Sequence, residues 1–195
     1  MNRIIVADPA APWLGGNIKG GDDMTFAPEI WDYLIQQFKP KSICDVGCGE
    51  GYLMKYFADK GIDVFGIDGM AENKQNAPLE VKDKIFVHDY TCGVGPVYDV
   101  DMVISCEFVE HIEAQYILNY ILQFINCDIL VLTHALPDQP GYHHVNCQTS
   151  EYWINLMKAF HFRPLIIPIR QARQLAENKV LWQTILIFKK LASNE

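Results

Sequence analysis

The chain predicts an α/β fold with a doubly wound, largely parallel sheet, and three observations carry that prediction. Short apolar runs at 42–46, 63–68, 84–89, 98–105 and 128–133 alternate with segments of helical periodicity, the pattern of parallel strands joined by crossover helices. Acids stand at or beside the carboxyl ends of the first three runs: Asp45, Asp68 and Asp89. Gly47, Gly49 and Gly51 follow the first run at alternate positions and lead straight into a helix-like segment. Strand, tight turn and helix N-terminus in that order mark where such folds hold a nucleotide-like ligand. The 195 residues are expected to form one domain, 1–195, with 1–26 as an irregular arm.

Each element has its own signal. The arm carries Trp13 and the pairs Gly15-Gly16 and Gly20-Gly21, which fit a backbone lying close over something bound. Residues 27–39 read as a helix, with Pro28 in its first turn and Ile30, Leu34, Ile35 and Phe38 on one face. Strand 42–46 leads through the glycine turn to a helix over about 51–60, with Leu53, Tyr56 and Phe57 inward and Gly61 as its stop. Strand 63–68, a short helix broken at Pro78 and strand 84–89 come next. Strand 98–105 precedes a helix whose apolar stripe is expected at Ile117, Leu118, Ile121, Phe124 and Ile125. After strand 128–133 a long loop, 134–148, holds three of the six histidines and leaves the carboxyl end of a strand, over the crevice. Thr149 or Ser150 caps a helix to about His161. Arg163–Arg170 and Val180–Lys189 read as two strands with no full helix between them, an antiparallel hairpin at the sheet edge.

The turn has chemical content. Its spacing is G-x-G-x-G, not the G-x-G-x-x-G of dinucleotide binders. An acid just before it, Asp45, repels a phosphate and suits a ligand with positive charge. S-adenosylmethionine, with an ammonium, a sulfonium and no phosphate, fits that description. Asp68, at the end of the next strand, is placed to accept from ribose hydroxyls, and Gly69 and Met70 lie where the adenine edge passes.

Composition narrows the function. The formal net charge is −8, which argues against broad electrostatic binding to nucleic acid or anionic membrane. No apolar run is long enough to span a bilayer, and the first residues lack a signal-peptide core. The six scattered cysteines form no Cys-x-x-Cys pair, so we expect reduced thiols, a cytoplasmic location and no structural zinc.

Asp45-Val46-Gly47-Cys48-Gly49-Glu50-Gly51-Tyr52-Leu53 resembles motif I of the class I S-adenosylmethionine-dependent methyltransferases. Cys106-Glu107-Phe108-Val109-Glu110-His111-Ile112 resembles the turn after the fourth strand in the ubiquinone-biosynthesis O-methyltransferases. The resemblance implies a Rossmann-like seven-stranded sheet of order 3-2-1-4-5-7-6, ending in the antiparallel hairpin. It implies S-adenosyl-L-methionine as cofactor, held by Asp45, Gly47, Cys48, Gly49, Asp68, Gly69 and Met70. Asp89 and the Tyr90 backbone would meet the adenine, with Cys106 and Glu107 on the methionine side.

The expected reaction is methyl transfer to a small-molecule acceptor, at a hydroxyl oxygen. The donor is already activated, so alignment is the main task; it supplies roughly 7–11 kcal/mol in good cases. A hydroxyl acceptor also needs a base, and histidine titrates near neutrality. His111 and His144 are the candidates, with His143 beside them, and this reading assigns no metal. Two alternatives stay open. Glu107, Glu110 and His111 fall at i, i+3 and i+4, and with His143 or His144 they resemble the divalent-metal site of small-RNA 2′-O-methyltransferases. The chain could instead bind the cofactor without turning it over. An NAD-dependent oxidoreductase is disfavoured by the glycine spacing and the final hairpin.

Overall fold

The computed structural model describes residues 5–176 and 180–192. Seven strands form one sheet: β1 (Ser42–Val46), β2 (Asp63–Asp68), β3 (Ile85–Val87), β4 (Val100–Ser105), β5 (Cys127–Leu132), β6 (Phe162–Pro164) and β7 (Leu186–Lys190). Their spatial order is β3-β2-β1-β4-β5-β7-β6, as expected. β1 through β5 pair in parallel; β7 runs antiparallel to both β5 and β6. From Ile43 to Val46 and from Met102 to Ser105 every residue is buried, so the central strands are covered on both faces. The chain runs outward from β1 to β2 and β3, then crosses back to β4. The crevice at the carboxyl ends of β1 and β4 is therefore the topological switch point.

The helices are α1 (Pro28–Phe38), α2 (Tyr52–Asp59), α3 (Ala71–Asn76), α4 (Leu79–Lys82), α5 (Ile117–Phe124), α6 (Ser150–Ala159) and α7 (Ile166–Leu175). Pro28 opens α1, where a missing N–H costs nothing. The Thr149 hydroxyl caps α6 by accepting from the Tyr152 N–H. Inward faces differ in detail from the expected stripes. α5 buries Ile117, Tyr120, Ile121 and Phe124, a true i, i+3, i+4, i+7 face, and leaves Leu118 exposed. α2 buries Met54 and Phe57; Leu53 turns to the crevice, and Tyr56 donates to Asp32 Oδ1 at 3.0 Å.

The expected strands Arg163–Arg170 and Val180–Lys189 need correction. β6 ends at Pro164, residues 166–175 are the full helix α7, and 180–184 form a 3₁₀ turn before β7. The apolar, β-branched run Leu165-Ile166-Ile167-Pro168-Ile169 imitates a strand, but Pro168 cannot donate to a sheet ladder. As the third residue of α7 its missing N–H is one that no helix satisfies anyway. Part of the polar connector, 177–179, lies outside the described residues. The arm is less irregular than expected: Ile5–Val6 pairs with Asn17–Ile18, and Pro12–Leu14 make a 3₁₀ turn.

Candidate active site

The crevice holds a cavity of about 320 Å³. Its floor is the glycine turn, one wall the ends of β2 and β4, and its roof the arm. Asp45 is nearly fully buried beneath the turn. Burial pushes its carboxyl up to about 8, and nearby Asp68 adds to the shift. Gly47 sits at φ +81°, and a Cβ there would meet the Phe108 ring at 2.8 Å; only glycine allows both the turn and that contact.

Asp68 is the anchor of the turn. Its Oδ2 accepts from Gly49 N at 2.8 Å, and its Oδ1 accepts from Met70 N at 2.8 Å and Asn73 Nδ2 at 2.9 Å. A carboxylate has about four acceptor positions, so one remains for a ligand hydroxyl. Burial raises its pKa in spite of these bonds. Gly69 and Met70 continue this wall.

Asp89 and Tyr90 stand elsewhere. Neither lines the cavity. The Asp89 carboxylate caps its own turn through Thr91 N and Oγ1, and accepts from Trp13 Nε1 at 2.9 Å. Tyr90 is buried among Phe108, Tyr120 and His88.

The far end of the cavity is built by β4 and the long loop. Cys106 and Glu107 line it. Glu107 is left-handed, φ +50°, a conformation that costs about 1–2 kcal/mol for a residue with a Cβ. Thr133, fully buried at the end of β5, holds it there: its hydroxyl accepts from Glu107 N at 2.9 Å and lies 2.8 Å from Glu107 Oε1. Glu110 is fully buried, and neither of its oxygens makes a hydrogen bond of ordinary geometry. Burial raises both carboxyls, and for Glu110 the charge of Glu107 adds to it.

His111 and His144 both line the cavity, with ring centroids 5.1 Å apart. Burial, with His144 second, brings His111 down to about 4, so its ring is neutral at physiological pH. His144 Nδ1 lies 3.1 Å from the Gln139 carbonyl; the carbonyl can only accept, which leaves Nε2 with the free lone pair. The loop is pinned beside His111 because Val145 N and Asn146 N both donate to Glu110 O, at 2.9 and 3.0 Å, and Asn146 Nδ2 donates to Val109 O at 3.3 Å. One ligand-type atom from each of Glu110, His111 and His144 lies within 4.8 Å of the others. His143 does not line the cavity. Sequence reasoning missed Thr133, Asn146, Asn73 and Glu50; Glu50 lies within the glycine turn without having been given a role, and the other three sit in no recognisable spacing.

The charge of the walls tests what the cavity can hold. Asp22, Asp45, Glu50, Asp68 and Glu107 line it, and no lysine or arginine does among the described residues. That set fits a positively charged ligand and rejects a pyrophosphate.

The methyltransferase-domain family model matches residues 25–127, more than half of the chain. The chain belongs to this methyltransferase family. A ubiquinone biosynthesis O-methyltransferase of Nitrobacter winogradskyi is 34% identical over 74 residues, 36% of this chain and 28% of that protein. One from Rhodopseudomonas palustris is 33% identical over 72 residues, 35% of this chain and 28% of that protein. The match thus spans less than a third of the length of these relatives. Among solved structures, magnesium protoporphyrin IX methyltransferase from Synechocystis PCC 6803 with bound S-adenosylhomocysteine superposes with a TM-score of 0.61 at 15% identity, over 86% of this chain and 83% of that one. A Burkholderia thailandensis 1,6-didemethyltoxoflavin-N1-methyltransferase gives 0.59 at 15% identity, over 87% and 80%. At such identities the methyltransferase fold is what is shared. Among the described residues, no helix is long and apolar enough to cross a membrane.

Proposed function

We propose that this methyltransferase moves a methyl group from S-adenosylmethionine to a hydroxyl oxygen of a small molecule. The observation that carries the reading is one continuous cavity. At one end lie Asp45, the glycine turn and Asp68; at the other, His111 and His144. The sulfonium supplies an activated methyl group. The chain's own residues supply the rest. Asp45 neutralises the ligand's ammonium, Asp68 accepts from a ribose hydroxyl, and Gly69 with Met70 flanks the base. Cys106 and Glu107 bound the methionine side. His144, or His111 beside it, takes the acceptor's proton through its free ring nitrogen. The O-methyltransferase relatives support oxygen as the acceptor atom, over the segment that matches.

One observation favours a second reading for the same end. Glu110 is buried, its oxygens make no hydrogen bond of ordinary geometry, and it stands next to His111 and His144. These three can hold a divalent cation, with Glu107 alongside. A cation there would polarise an acceptor hydroxyl and ease loss of its proton. The RNA-end acceptor that could accompany such a site is opposed by the absence of lysine and arginine from the cavity among the described residues and by the chain's net charge of −8.

The test is transfer from a donor carrying a deuterated methyl group, with extracted small molecules as acceptors and wild-type, His144→Ala and chelator-treated protein in parallel. Deuterated methyl ethers formed by the wild type and lost in His144→Ala support the base reading. Loss on chelation, restored by added manganese, favours the cation. Label found only on nitrogen, on RNA or on protein overturns the small-molecule oxygen acceptor.

A further inference from the structure

Residues 11–22 of the arm lie across the open side of the cavity, and hydrogen bonds tie them to the ends of the sheet and the glycine turn. Trp13 Nε1 donates to Asp89 Oδ2 at 2.9 Å. Asn17 Nδ2 donates to Asn73 Oδ1 at 3.3 Å. Gly20 N donates to Glu50 Oε2 at 3.0 Å. Leu14 packs so closely on Gly69 that a Cβ there would stand 2.9 Å from its side chain. A ligand resting on Gly49, Asp68 and Met70 therefore lies beneath the arm.

We propose that residues 11–22 are a cover over the adenosine half of the cofactor site, that Trp13 on Asp89 is its latch, and that the cover opens at each cofactor exchange. The inference rests on the cofactor reading given above. Asp89 then serves the base end of the site through Trp13, by closing the wall there. Leu14 becomes part of that wall. The backbone supplies the hinges: Gly15 and Gly20 stand at φ +77° and +82°, and nothing lies within 4 Å of the space beyond Gly20. Of residues 11–22 only Gly15 is buried, so opening demands far less than unfolding the domain.

The test uses Trp13→Phe, which keeps the ring and removes the N–H, and Leu14→Ala, which opens the wall. S-adenosylhomocysteine is the probe. Its dissociation is followed by stopped-flow displacement, and cover opening by trypsin cleavage after exposed Lys19. In the wild type the ligand slows that cleavage. In Trp13→Phe, dissociation is about 10-fold faster, the loss of roughly one charged hydrogen bond, and Lys19 is cut faster with and without ligand. Dissociation and cleavage rates unchanged in both variants, in a protein that binds the ligand, overturn the cover and leave the cofactor reading standing. Failure of the wild type to bind S-adenosylhomocysteine removes both.

Discussion

The two ends of the cavity are made in different ways. The donor end is the rim of the sheet: Asp45, Gly47 and Asp68 occupy the tips of adjacent parallel strands, and their positions follow from the register of β1 on β2. The acceptor end is assembled from segments far apart in sequence. Glu107–His111 follows β4, and the 139–148 loop follows β5. Here hydrogen bonds replace register: Asn146 and Val145 on the Glu110 carbonyl, Thr133 on Glu107. A sheet rim tolerates little variation in geometry, whereas a loop docked by a few bonds can be rebuilt for a new acceptor. In the proposed reading, the donor end therefore sets the chemistry and the acceptor end sets its target.

Separate damage to the two ends is the sharpest way to break this comparison. His144→Ala lowers methyl transfer by about 100-fold or more, the scale of a lost general base, and changes S-adenosylhomocysteine affinity less than twofold by calorimetry; equal losses in both would merge the two ends. Asp68→Ala does the reverse. Removing a carboxylate that anchors Gly49, Met70 and Asn73 weakens calorimetric binding of S-adenosylhomocysteine on the order of 100-fold, and unchanged affinity would remove Asp68 from the ribose role.

The pH behaviour sharpens the comparison with smaller effects. Asp45 is protonated in the free protein until about pH 8, and a bound ammonium favours its ionised form. Ligand affinity thus rises as pH is raised from 7 to 8, up to roughly 10-fold, and Asp45→Asn flattens the titration. Stability moves the other way. Between pH 6.5 and 8 the folded chain keeps a proton on Asp45 that the unfolded chain has lost, so folding is disfavoured as pH rises. The ligand-free melting temperature falls across that window by on the order of 5 °C, and saturating S-adenosylhomocysteine reduces the slope. His111, neutral in the folded chain but still shedding its proton near pH 6.5 in the unfolded one, offsets part of this fall only at the low end of the window.

These asymmetries explain what could be read from the residues. The strand runs, the glycine turn and the acids at strand ends are local patterns, and the sheet order and the donor wall followed from them. The terminal hairpin was legible as a pairing but not in its parts: the apolar run at 165–169 imitated a strand, and the segment from Ile166 to Leu175 is a helix with Pro168 in its first turn. At the acceptor end, His111 and His144 were legible as residue types. Their meeting at 5.1 Å depends on Asn146, whose role is set by two backbone carbonyls that no spacing reveals. Asp89 was legible as a strand-end acid but not as the partner of Trp13, because the arm carries no periodic signal.

A crystal structure with S-adenosylhomocysteine tests the central claim most directly. The account predicts the ribose on Asp68, the amino group beside Asp45, the base between Met70 and Leu14, and the sulfur facing His111 and His144. A crevice that stays empty under saturating ligand, or a ligand whose sulfur points away from the two histidines, would contradict it.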